Sequence, residues 1–93
     1  MSYVKTILWR FIKYVRIIDV TKMNLIGSNV RKYRIQNKLS QQKLSNQLEL
    51  LGVYVCRGSI SRIEDKSRTV TDIELFALAK VLNVSINNLF END

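Results

Sequence analysis

The sequence predicts an all-α protein: a five-helix domain over residues 23–93, preceded in residues 1–22 by a separate basic amphipathic helix. Three observations carry this expectation. Apolar residues recur at three- and four-residue steps along most of the chain, which gathers them on one face of a helix. Proline is absent, so no helix is interrupted by a missing backbone donor. Ser40, Thr71 and Ser85 each stand just ahead of an apolar-periodic run, where a hydroxyl can accept from first-turn amides that have no helical partner. No strand pattern, internal repeat or low-complexity tract competes with these signals.

In residues 3–20, Val4, Ile7, Leu8, Phe11, Val15 and Ile18 share one helical face, while Lys5, Arg10, Lys13 and Arg16 fall largely elsewhere. That many charges disfavour a membrane-spanning helix, and no small-residue cleavage site follows. Contact of residues 3–20 with a membrane surface is one expectation. The favoured one is a dispensable tail, or upstream sequence read in frame ahead of a start at Met23, with residues 23–93 folding alone. Helix one is expected over residues 26–37, with Ile26, Val30 and Tyr33 inward. Helix two begins at Ser40 and buries Leu44, Leu48 and Leu51, and Gly52 stops it because glycine enters the left-handed region cheaply. The β-branched and aromatic run Val53, Tyr54, Val55 reads as an extended connector, with Cys56 at the cap of helix three over residues 57–65. Thr71 and Glu74 form a capping box for helix four, which buries Leu75, Leu78, Ala79 and Leu82 and closes at Asn83 and Val84. Ser85 caps a short helix five that runs to Phe90.

Composition narrows the function. The net charge of +7 suits a polyanionic partner. It is unevenly spread: residues 1–22 hold five bases and one acid, the remainder ten bases and seven acids. The globular part is thus only mildly basic. With no histidine and a single cysteine, Cys56, the chain has neither the ligands for a Cys/His zinc site nor a histidine-based triad. There is no glycine-rich phosphate loop and no carboxylate pair with a supporting cation. Neither an enzyme nor a cofactor is expected, and a cytoplasmic location is.

The informative arrangement is two short helices, residues 40–51 and 56–65, joined by a turn containing Gly52. A helix-turn-helix of this kind presents its second helix to the major groove of double-stranded DNA. Ile60 and Ile63 supply the only large apolar contacts of helix three, and Arg57, Gly58, Ser61, Arg62 and Asp65 lie opposite them. Arginine there can form paired hydrogen bonds to guanine, each pair giving about 1–3 kcal/mol of discrimination. Taken singly, Arg57 and Arg62 read as solvated surface charges, and the surrounding motif reverses that reading.

The runs IGSNVRKYRIQNKLSQQKLSNQL, GSISRIE and TDIELFALAKVLNVSINNLF, in this order and at these distances, resemble the phage-repressor and Cro-type helix-turn-helix family, the XRE-like regulators. The resemblance implies a lambda-repressor-like domain of five packed helices, sequence-specific DNA binding by helix three, and a repressor's role. By position it implies base reading at Arg57, Gly58, Ser61 and Arg62, and phosphate contact at Gln41, Lys66 and Arg68. It also implies a partly buried salt bridge between Arg34 and Glu64. Because one recognition helix reads only a few base pairs, a homodimer on DNA is expected. An antitoxin-like module that binds a protein partner, with DNA binding secondary, is the alternative. Four departures stand out. The stretch from Leu48 to Cys56 is long, Cys56 replaces the usual hydroxyl cap, and Gly58 offers no side chain where glutamine is common. Lys66 stands where glycine is common after helix three, and a left-handed lysine there would cost about 1 kcal/mol.

Overall fold

The computed structural model describes residues 21–91, so the helix expected in residues 3–20 and any membrane contact by it lie outside the described residues. Five helices follow in order: α1 (Gly27–Gln36), α2 (Gln41–Leu50), α3 (Arg57–Glu64), α4 (Asp72–Leu82) and α5 (Ile86–Leu89). Among the described residues there is no strand.

Three of the caps form as the hydroxyls predict. Ser40 Oγ accepts from the amide of Lys43, and Ser85 Oγ accepts from that of Asn88. Thr71 and Glu74 close a reciprocal capping box at the start of α4. The start of α1 differs, since Ile26 occupies the cap position and has no side-chain oxygen to offer. Asn24 replaces it: its Oδ1 accepts from the amides of Ile26 and Gly27 at 3.1 and 2.9 Å. Four of the five helices are followed by a left-handed residue, and of these only Gly52, at φ 82°, is a glycine. Lys38, Lys66 and Asn83 adopt φ 57°, 61° and 57°. The expected strained lysine after the third helix is thus present, joined by a second at Lys38 after α1.

The core is built from all five helices. Val30 of α1, Leu44 and Leu48 of α2, Ile60 and Ile63 of α3, Leu78 and Leu82 of α4 and Leu89 of α5 are almost wholly enclosed. Each contributes about 1.5–3 kcal/mol relative to exposure, offset by the entropy of ordering the chain. α1 packs on α3, α4 and α5, while α2 packs on α3 and α4. Val55 is buried and Tyr54 exposed, as expected of an extended connector whose side chains alternate. Buried Asn29 donates to the carbonyls of Leu89 and Glu91 at 2.8 and 2.6 Å, tying the end of the domain to α1.

Three core assignments need correction. Leu51 is 54% exposed, because α2 ends at Leu50 and the next residue leaves the helical register that would have carried it inward. Tyr33 and Leu75 are half-buried and pack on the rim of the core.

Candidate nucleic-acid interface

α3 is gripped along one edge. Ile60 and Ile63, three residues apart, are fully enclosed, and α1 and α2 flank them. Helical geometry then turns Arg57, Gly58, Arg62 and Asp65 outward, and all four are exposed, with Ser61 half-buried beside them. The Arg62 guanidinium folds back along the helix, where Nη2 donates to Ser59 Oγ at 3.1 Å. This fold-back does not depend on glycine at position 58, since a Cβ built there would meet Arg62 Nη1 at 3.7 Å, an ordinary contact. Ser59, which the sequence did not single out, also accepts from the Cys56 thiol at 3.4 Å. Cys56 has extended backbone but no capping hydrogen bond, as its weak acceptor character predicts. Its thiol is held below the ordinary range, first by the Ser59 hydroxyl, which can turn to donate to the ionised sulfur, and then by backbone amides and the Arg62 charge.

Behind this face lies the expected ion pair. Arg34 Nε and Nη2 donate to the two Glu64 carboxylate oxygens at 2.6 and 3.1 Å, and Arg34 Nη1 donates to the Leu39 carbonyl at 2.8 Å. The side chains are only 13% and 4% exposed. Gln41 joins the pair, its Nε2 donating to Glu64 Oε1 at 3.2 Å. A phosphate approaching α2 would therefore meet first-turn amides, with the Gln41 side chain already engaged.

The loop after α3 carries the other expected contacts. Lys66 is half-buried, its stem passing over Gly27. Arg68 is bound fork-to-fork to Glu74, Nη1 to Oε1 at 2.9 Å and Nη2 to Oε2 at 2.7 Å. This pair raises the Arg68 pKa and holds the Glu74 carboxyl below the usual carboxylate range. Glu74 locally neutralises Arg68, whereas no such carboxylate fork engages Lys66 among the described residues. The side chain of Asn24 bridges this loop to the starts of α1 and the end of α3, donating to the carbonyls of Ile63 and Arg68 at 3.1 and 2.8 Å. An asparagine just ahead of a helix was the one available signal for it. The bridge itself spans more than thirty-five positions and has no local signature.

Among the described residues no His/Cys/Asp/Glu group could hold a metal ion, and no helix is long and apolar enough to cross a membrane.

Two consecutive helices with the second offered edge-on to solvent define a helix-turn-helix DNA-binding domain. The chain belongs to this family: the family model described as "Helix-turn-helix" matches residues 30–89. It is accordingly a DNA-binding transcriptional regulator of the XRE type. The control protein C.SmaI of Serratia marcescens is 42% identical over 65 residues, covering 70% of this chain and 71% of that protein. The crystal structure of the restriction-modification controller protein C.AhdI from Aeromonas hydrophila matches with a TM-score of 0.61 at 26% identity. That match covers 70% of this chain and 91% of C.AhdI.

Proposed function

We propose that this chain is a cytoplasmic repressor of the controller type, which reads its operator by placing α3 in the major groove. The observation that carries this is the grip on α3: Ile60 and Ile63 buried, with Arg57, Gly58 and Arg62 left open. Arg57, Arg62, Ser61 and the space over Gly58 read base edges, while Lys66, the α2 amides beside Gln41 and, secondarily, Arg68 hold the phosphates. The likeness to C.SmaI and C.AhdI favours restriction-modification genes as the target.

Two copies bind together in this proposal. An apolar groove formed by Leu51, Val53, Ile73, Phe76 and Ile86 lies on α4 and its neighbours, and Ile73 and Phe76 are 66% and 57% exposed. Asp72 stands at one end of this face and Lys80 at the other. Two-fold packing of α4 against its counterpart would set Asp72 opposite the partner's Lys80, so the face is complementary to itself in charge as well as in apolarity.

Selection from a random duplex pool tests both parts. The full chain is expected to return two-fold symmetric sites whose half-sites lie about one helical turn apart. The Phe76→Glu variant should stay folded, because position 76 is open to solvent, yet bind those sites at least about tenfold more weakly. A pool without a preferred sequence would contradict base reading, and enrichment of lone half-sites by the unmodified chain would contradict the paired arrangement.

A further inference from the structure

We propose that Asn24 is a positioning residue for DNA binding, one that fixes the loop at residues 66–68 against the recognition helix. The proposal rests on the reading of Lys66 as a phosphate contact.

The side-chain amide of Asn24 uses its full bonding capacity. Oδ1 accepts from the amides of Ile26 and Gly27, and Nδ2 donates to the carbonyls of Ile63 and Arg68. Ile63 lies in the last turn of α3 and Arg68 in the loop beyond it, so one side chain joins three separate pieces of backbone. The preceding residue adds a fourth tie, the Met23 amide donating to the Lys66 carbonyl at 3.0 Å.

The loop needs such support. Lys66 sits at φ 61°, a region unfavourable for a residue with a Cβ. Local bonds hold the amide side of the turn: Lys66 to the Ile63 carbonyl and Ser67 to the Arg62 carbonyl. The carbonyls of Lys66 and Arg68 face the segment ahead of α1 and are satisfied only from there among the bonds described. Without the Asn24 donors, water would replace them and the left-handed lysine would be freer to relax. The backbone from which the lysine side chain springs would then no longer be held relative to Arg57 and Arg62. The residues ahead of α1 thereby join the element that reads bases and the element that grips the backbone into one rigid unit.

Asn24→Ser tests this in the full chain. Serine keeps a short oxygen for capping α1 but removes both Nδ2 donors. Affinity for a mixed-sequence duplex is measured against salt concentration for the unmodified chain, Asn24→Ser, Lys66→Ala and the double variant. Asn24→Ser is expected to flatten the slope of log affinity against log salt by about one unit, as Lys66→Ala does, and the double variant to lose no more than either. The ratio of preferred-site to mixed-sequence affinity should hold, because Arg57 and Arg62 are untouched. In the free protein, amide exchange at Lys66 and Ser67 should quicken about tenfold relative to the amides of α4. If Lys66→Ala flattens the slope but Asn24→Ser does not, the positioning role is overturned while the loop keeps its function. If Lys66→Ala leaves the slope unchanged, the loop reading falls and the inference with it. Unchanged exchange at Lys66 and Ser67, or equal loss of slope and preference, also overturns it.

Discussion

Alanine at position 27 is expected to destabilise the domain by about 2–4 kcal/mol, a large part of the stability of a domain this size. Gly27 is the first residue of α1 and lies directly against the end of α3. A Cβ there would overlap the Ile63 carbonyl oxygen and stand 3.0 Å from that of Glu64 and 2.9 Å from Lys66 Cγ. The lysine stem can swing aside. The two carbonyls cannot, because they belong to the last turn of the recognition helix, so α1 and α3 would have to separate. The other glycines sharpen the test. Gly52 has open space around it, and its alanine variant should lose only the cost of a left-handed φ, about 1 kcal/mol. Gly58→Ala meets an ordinary contact on an exposed helix face and should gain about 0.5–1 kcal/mol of stability. Urea unfolding of the three variants should rank them in that order, and equal midpoints for Gly27→Ala and Gly58→Ala would contradict the close approach.

Removing one partner of the Arg34–Glu64 pair is expected to cost about 2–4 kcal/mol, somewhat under the range for fully buried pairs because Arg34 is 13% exposed. Glu64 loses more than an ion when Arg34 goes, since its side chain is only 4% exposed in the intact pair and the Gln41 amide is the side-chain partner left to it. Arg34→Met also frees the Leu39 carbonyl, which shapes the turn into α2. In a double-mutant cycle, Arg34→Met with Glu64→Leu should recover much of what either change loses alone, because an apolar pair replaces a charged one. Additive losses would show that the bidentate geometry carries little coupling. The consequence for function is indirect but definite: the pair joins α1, ahead of the helix-turn-helix, to the end of α3, so DNA affinity should fall with stability while preference among sequences holds.

Much of this was legible in the chain. The hydroxyls at Ser40, Thr71 and Ser85 marked helix starts because capping is a local event, settled within four residues. Ile60 and Ile63 exposed the buried edge of α3, and Arg34 and Glu64 were found through the resemblance of the surrounding motif. Leu51 was misplaced because apolar spacing continues past the point where the helix stops, and spacing alone does not say where that is. Arg68 looked like an uncommitted cation, yet its carboxylate partner lies across a loop at Glu74, a residue the sequence had already assigned to the capping box. One carboxylate serves both tasks. The Asn24 bridge was hidden for the same reason: its donors reach carbonyls that only the packing of α1 on α3 brings near.

If α3 reads bases while the flanking groups hold the backbone, one titration shows it most directly. Preferred and scrambled duplexes are titrated at several salt concentrations with the unmodified chain, Arg57→Ala and Arg62→Ala. Each arginine variant is expected to lose about 1–3 kcal/mol on the preferred duplex and far less on the scrambled one, narrowing the ratio between them. Equal weakening on both duplexes would contradict base reading by α3, even with the fold intact, and would move the source of affinity to the basic residues beyond it.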